Sequence, residues 1–397
     1  MGQSPPSESY NNEGKGLPFI QGNAEFGFKY AEPIQFTSDP KKIAEKDDIL
    51  ISVRAPVGDV NFAPYKLSIG RGLAAIRPNQ KKLNIYYIFY SLKHHINQFH
   101  ALSTGSTFKA ISKRDFDAFL LPIPPLFEQR GIVEVLGTVD ECIRLTDEVI
   151  GRAEELKRGL MQRLLTRGIG HTEYKQTPLG EIPETWKIEK LNKLIKIQSG
   201  NYFKYEEFVP QGVKVLKIDN VSFGKISWDT ITYLPENYLD EYRELKLNKN
   251  DIVIALNRPI IDDKLKIGII DKNDVPSILY QRVGRIMNKN IKILNSKYLF
   301  YYVSSLWFIN DLKRISRGTD QPYINPTEII KLNITIPPPI EQNKIVDRIE
   351  LADSIIRNEF EKNKSYKILK QGLMQVLFSG KIRVELRGDG LHRIEDS

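Results

Sequence analysis

Two stretches of the chain carry apolar residues at the three- and four-residue steps of a helix over some 40 positions. In 126–167 they are Ile132, Leu136, Val139 and Ile143, then Ile150, Ala153, Leu156, Leu160 and Leu164. In 340–379 they are Ile345, Ile349, Ala352, Ile356 and Phe360, then Tyr366, Leu369, Leu373 and Val376. Elsewhere the pattern changes to short β-like runs broken by Gly, Pro, Asn and Asp. These runs are Ile49–Val53 and Leu73–Ile76 within 1–121, and 213–218, 251–256 and 267–270 within 178–333. Each mixed region also predicts one helix, at 84–99 and 297–312. A helix of about 40 residues is roughly 60 Å long, and its apolar seam needs a partner. The other long helix is the nearest one. With a globular region between them in sequence, antiparallel pairing would set one mixed domain at each end of a rod.

The two halves are copies of each other. "IPPLFEQ" at 123–129 returns as "IPPPIEQ" at 336–342, and the echo runs on without a gap to 165 and 378. Of these 43 pairs 18 are identical, including "GLMQ" at 159–162 and 372–375. Further upstream "KDDILISVRAP" (46–56) resembles "KNDIVIALNRP" (249–259), and "LSIGRGLAAI" (67–76) resembles "ILYQRVGRIM" (278–287). The last alignment pairs Arg71 with Arg282. A period this long is a duplicated domain-plus-helix unit, far outside the solenoid range. The Pro-Pro steps suit a helix start, where a missing N–H goes unnoticed. Glu128 and Glu341 then fall in the first turn, at the positive end of the helix dipole. Gly159 and Gly372, matched in the repeat, predict close packing or a helix end.

Composition narrows the class. With 397 residues, 41% hydrophobic and 27% charged, the chain is a soluble multidomain protein. No apolar run approaches membrane-span length, and the polar N-terminus lacks a signal-peptide core, so a cytoplasmic location is expected. The single cysteine, Cys142, excludes an intramolecular disulfide and any cysteine-rich zinc site. A net charge of +9 favours acidic partners, DNA above all.

Catalytic signatures are sparse. The chain has no G-x-x-x-x-G-K-[ST] phosphate loop and no Asn-Pro-Pro-aromatic motif of adenine methylases. Asp240 with Glu244-Leu245-Lys246 mimics a nuclease pattern only by a spacing common in such a charged sequence. His94, His95 and His100 have no companion ligands, and a solvated or DNA-facing helix explains them better than a metal. What stands out instead are basic and amide residues in loops: Arg54, Arg71 and Arg114 in the first region, and Arg258, Gln281, Arg282 and Arg285 in the second. The loop "STGSTFK" at 103–109, with Ser106, Thr107 and Lys109, and its counterpart "SRGTDQ" at 316–321, with Arg317 and Gln321, are the best candidates for DNA contact. Arg suits guanine, Asn and Gln suit adenine, and Lys or Arg suits phosphate.

The ordered set of features resembles the specificity subunit of type I restriction-modification systems. It comprises two mixed domains, each followed by a helix opening "IPP-x-x-EQ" and carrying "GLMQ-x-L" near its end, with the lead-in "PLGEIPETWKIEKL" (178–191) and the closing "GKIRVE" (380–385). The resemblance implies an α+β fold with a pseudo-twofold internal repeat, two target recognition domains separated by a long antiparallel two-helix coiled coil. The expected division is recognition domain one at 1–122, helix one at 123–168, recognition domain two at 169–335, helix two at 336–381 and a tail at 382–397. It also implies double-stranded DNA as ligand, two methylase subunits and restriction subunits as partners, and no catalysis by this chain. S-adenosylmethionine, ATP and Mg would sit on the partners. Glu128, Gln129, Glu341, Gln342, Leu160, Met161, Leu373 and Met374, at matched helix positions, are the implied docking residues. The first domain lacks a counterpart of 178–197, which either a shortened N-terminus or a C-terminal tail, 380–397, lying nearby would explain; the tail has no apolar strand as clear as "WKIEKLNKLIKI", which favours the shortened N-terminus. The alternatives are a non-DNA coiled-coil scaffold and a fragment of a self-contained restriction-methylation enzyme. The second would need the missing methylase motifs, and the first gains nothing from diverged basic domains.

Overall fold

The computed structural model describes residues 1–97, 111–315, 323–387 and 390–394. The chain divides into two compact units, Met1–Glu148 with Phe360–Ser397 and Val149–Glu359, so the boundary falls inside both long helices. Each unit thus contains one mixed domain, part of the helix that follows it and part of the other helix. This cuts across the linear succession of domains and helices expected from sequence.

In the first unit, a three-stranded antiparallel sheet runs in the order Val60–Phe62, Ile49–Ser52, Leu73–Ile76. Ile49–Ser52 is buried at all four positions, because the strand is central and covered on both faces. A five-stranded sheet beside it is held by the parallel pairing of Leu17–Ile20 with Leu67–Ile69. The helix Ile85–His94 starts at Asn84, whose side chain accepts from the N–H groups of Tyr86 and Tyr87. Its apolar face joins a core with Ile132, Leu136, Leu377 and Phe378 of the long helices.

The second unit repeats this plan with an addition. Its sheet has four strands, in the order Ile195–Ser199, Val283–Asn288, Ile252–Ala255, Ile267–Ile269. The parallel pair is Val213–Leu216 with Ser277–Leu279, and Asn295 caps the helix Ser296–Val303 as Asn84 does in the first unit. The strand Ile195–Ser199 lies outside Val283–Asn288. Among the described residues of the first unit, no strand covers the equivalent edge of Leu73–Ile76. The helix expected over 297–312 is two helices, Ser296–Val303 and Leu306–Ile315. The hydroxyls of Ser304 and Ser305 bond back to the carbonyls of Phe300 and Tyr302, and the chain turns there.

The long helices are Leu126–Arg167 and Pro339–Phe378, starting at the Pro-Pro steps as expected. Within the first unit Glu128 meets Arg383, Asp140 meets Lys370 and Thr146 meets Asn363. Within the second, Lys157 meets Asp353 and Ile169 meets Glu341. In each, one number falls as the other rises, so the pairing is antiparallel. The contacts Lys370–Asp140 and Lys157–Asp353 are one contact made twice by the repeat. Gly159 and Gly372 neither end a helix nor pack closely, since a Cβ on either would meet nothing within 4 Å. Within the first unit the segment after the second long helix lies against the start of the first: Arg383 Nε and Nη2 donate to Glu128 at 3.2 and 3.0 Å, and Val384 packs into the core.

Candidate nucleic-acid interface

The ends of the central strands gather the sequence candidates. In the second unit, Leu256 follows the strand Ile252–Ala255, and its N–H donates to the Arg282 carbonyl at 2.8 Å. Its own carbonyl accepts from Ile324 N–H at 2.9 Å. Asn257 bridges to Tyr323. These bonds bring Asn257-Arg258, Gln281-Arg282 and the point where the described chain resumes after 322 to one edge. Arg258 and Arg282 are exposed there, and both have left-handed backbones, with φ of 45° and 63°. Non-glycine residues pay roughly 1 kcal/mol or more for that conformation. The hydrogen bonds on either side hold the turn in place.

The first unit repeats the arrangement. Val53 N–H donates to the Gly72 carbonyl at 2.8 Å, and the Val53 carbonyl accepts from Ile111 N–H at 2.9 Å. Exposed Arg54 and Arg71 therefore share an edge with the point where the described chain resumes after 110. Since Gly72 takes the place of Arg282, the structural partner of Arg71 is Gln281. The sequence alignment, which paired Arg71 with Arg282, is one residue out. Strand pairing settles it: Ile49 faces Ile76 where Ile252 faces Ile286. Ser106, Thr107, Lys109, Arg317 and Gln321 lie outside the described residues. Arg114 is exposed on the short helix Lys113–Asp117.

One candidate is corrected. Arg285 is 7% exposed, and its guanidinium is used internally, donating to the Lys246 and Glu244 carbonyls and pairing with Asp251 at 3.2 Å. It fastens a loop to the sheet and presents no donor outward. Sequence reasoning passed over Asn257 and Tyr323, which is 44% exposed. Asn257 aligns with Arg54 in the repeat, and that match was the available signal.

Four of the implied docking residues, Glu128, Gln129, Glu341 and Gln342, are joints of the fold. Gln129 and Gln342 are fully buried. Gln129 accepts from Asn84 N–H at 2.7 Å and donates to the Lys82 and Pro124 carbonyls. Gln342 accepts from Asn295 N–H at 2.8 Å and donates to the Ile293 and Pro337 carbonyls. Each amide thus ties the cap of a domain helix to the start of a long helix, which leaves no face for a partner. Glu128 is 4% exposed and spent on Arg383. Glu341 accepts from Ile169 N–H, the Trp186 indole and His171. Leu160 and Met161 pack partly buried on one core, Leu373 and Met374 on the other.

A second joint repeats as well. Tyr90 donates to Asp140 at 2.7 Å and Tyr301 to Asp353 at 2.9 Å. Burial first, then the facing carboxylate, pushes each phenol far above its usual range. His94 stacks on Phe378 at 5.3 Å, and burial beside His95 lowers its pKa. His100 lies outside the described residues. Among the described residues no three His, Cys, Asp or Glu side chains gather where a metal could be held, and no helix is long and apolar enough to cross a membrane.

Comparisons with known proteins place this arrangement. The model of the type I restriction modification DNA specificity domain matches residues 1–155 and 183–370. The MjaVIII type I restriction enzyme specificity subunit of Methanocaldococcus jannaschii is 38% identical over 353 residues, covering 89% of this chain and 83% of its own length. The EcoBI specificity subunit of Escherichia coli is 21% identical over 412 residues, covering 96% and 84%. In fold, the chain is similar to the type I S subunit of M. genitalium, with a TM-score of 0.54 at 17% identity, covering 95% and 92%. A chain from a type I restriction-modification assembly gives 0.57 at 15% identity, covering 91% of each.

Proposed function

The chain belongs to the type I restriction-modification DNA specificity family, and from that premise we propose that its two units read the two halves of one bipartite double-stranded DNA site. The observation that carries this reading is the repeated edge. Arg54 and Arg71 in one unit, and Asn257, Arg258, Gln281 and Arg282 in the other, are set by equivalent backbone hydrogen bonds. Arginine donates bidentately to guanine, asparagine and glutamine to adenine, and either unit can add phosphate contacts to fix register. The left-handed backbones of Arg258 and Arg282 support the same reading, since strained exposed residues gather at binding sites.

In this reading the chain supplies recognition and assembly, in the cytoplasm, and no chemistry of its own. Two methylase subunits carry S-adenosylmethionine, and restriction subunits carry ATP and Mg. The absence from the sequence of a phosphate loop and of an adenine-methylase motif supports that division. With Gln129 and Gln342 buried, docking falls to the exposed faces of the long helices around Leu160–Met161 and Leu373–Met374.

The test is selection of DNA from a random library by the methylase-loaded complex. Two short fixed sequences separated by unread bases are expected, and one continuous sequence would overturn the two-unit reading. The purified chain incubated with DNA, labelled S-adenosylmethionine and Mg should neither methylate nor cut. Turnover by a contaminant-free preparation would overturn the division of labour.

A further inference from the structure

We propose that Gln3 and Asn201 are a matched pair of base-reading residues, one in each unit, whose side-chain amides face the major-groove edge of a base pair, an adenine by preference. This rests on the bipartite reading above and goes beyond it in naming two positions that neither the repeat in sequence nor the family resemblance picked out.

Two glycines make the same close contact, one in each unit. Gly200 N–H donates to the Val283 carbonyl at 3.1 Å, and Gly2 N–H donates to the Leu73 carbonyl at 2.8 Å. Val283 and Leu73 are equivalent, each directly following the turn residue, Arg282 or Gly72, that bonds the central strand. The approach is so close that only glycine fits. A Cβ on Gly200 would lie 2.2 Å from the Tyr280 carbonyl oxygen and 2.5 Å from that of Leu279. A Cβ on Gly2 would lie 2.2 Å from the Gly70 carbonyl oxygen and 2.9 Å from that of Ile69. The clashing carbonyls correspond in the two units, so the same contact has been built twice.

The next residue is therefore fixed by its backbone in both units. The Asn201 carbonyl accepts from Gln281 N–H at 2.8 Å. Gln3 N–H donates to the Ile69 carbonyl at 3.1 Å, while the following Ser4 Oγ accepts from Arg71 N–H at 3.3 Å. The side chains of Gln3 and Asn201 are exposed, and among the described residues neither amide has a hydrogen-bond partner. Each stands beside the turn that carries Arg71, or Gln281 and Arg282.

A held backbone, an exposed amide that no protein group engages and neighbouring cations suit a residue to reading a base. Asn and Gln pair bidentately with the N6 and N7 of adenine. The adjacent arginines supply phosphate or guanine contacts that set the register. A surface residue without such a task gains nothing from a preceding glycine pressed against two carbonyls.

The experiment uses the full chain loaded with its methylase partner and a randomised DNA library. Gln3→Ala should relax one position in one half-site, lowering its preference roughly 5- to 150-fold. Asn201→Ala should do the same in the other half-site. The salt dependence of binding should stay as it is. Gln3→Glu and Asn201→Asp keep shape and fold but remove the donor, so the relaxed position should move toward cytosine. Uniform weakening with a salt slope lower by about one unit would assign the residues to phosphate and overturn the proposal. A bipartite consensus left unmoved by all four variants would overturn it while sparing the two-unit reading. A wild-type complex with no bipartite consensus would overturn both.

Discussion

The two units share their joints and differ at their edges. Gln129 and Gln342 make the same three hydrogen bonds, and the Tyr–Asp–Lys contact recurs as Tyr90–Asp140–Lys370 and Tyr301–Asp353–Lys157. Away from the joints the copies part. Ile336 is 6% exposed, because the strand Lys187–Lys190 lies over it, whereas its counterpart Ile123 is 51% exposed. Glu341 takes an indole and a backbone N–H where Glu128 takes the guanidinium of Arg383. A buried amide with every donor and acceptor used tolerates no drift, since each orphaned group costs free energy. An exposed edge carries no such penalty, and a protein that must read two different sequences can vary there without loosening its frame.

The largest test of that contrast exchanges residues 178–333 for those of a relative. The frame should accept the graft. The old second half-site should then fall to non-specific affinity, a loss of roughly a thousandfold or more, while the first half-site keeps its sequence. DNA selection reads both outcomes at once, and a change in both halves would break the independence of the units.

Next in size are the joints. Gln342→Leu strands the N–H of Asn295 and two carbonyls in a buried site, and Gln129→Leu does the same in the first unit. Each should destabilise its own unit by about 2–4 kcal/mol, seen by hydrogen exchange as opening confined to that unit. A large loss for one and none for the other would mean the joints are equivalent in shape but not in load.

A smaller effect separates the units by pH. Lys93 is half-buried in the first unit over the Phe89 ring at 4.3 Å, facing Lys370, Asp140 and Asp59. Its counterpart in the second unit is Ser304. Burial first, then Lys370, lowers the Lys93 pKa from 10.5 to about 8. Between these values the unfolded chain binds the extra proton, so stability rises with pH across that window and the full penalty applies below it. Lys93→Met should gain about 2–3 kcal/mol at pH 7, less the lost ring contact, and flatten the difference between pH 8 and 10.5. Ser304→Ala should leave that profile unchanged. Denaturant melts at a series of pH values decide it.

Sequence made the frame legible because burial enforces periodicity: the first long helix occupies the residues expected, and the second lies one residue from its expected bounds. The site was harder to read, for reasons that follow from the chemistry. The turn before Leu73 and Val283 has no apolar pattern to fix its register, and a one-residue slip turned Arg71 toward the wrong partner. Arg285 looks like its neighbours until the carbonyls around it are known. Gln129 and Gln342 read as surface residues because a helix start ordinarily is one. Gln3 stayed hidden since nothing in "MGQSPP" resembles "SGNYFK" beyond the glycine that matters.

The smallest effect bears on the face left for partners. Gly159 and Gly372 sit inside the long helices next to Leu160 and Leu373, with open space where a side chain would be. In the chain by itself, Gly→Ala at either position should therefore stabilise by roughly 0.5–1 kcal/mol, because alanine loses less entropy in a helix and meets no obstacle. The two gains should be equal, as the sites are copies. The informative measurement is the same pair of variants titrated with the methylase subunit. If a partner lies against this face, the added methyl groups stand in its way, and assembly weakens while the free chain grows more stable. Opposite signs in the two measurements would mark the docking face. Equal affinity for wild type and both variants would move docking away from these turns.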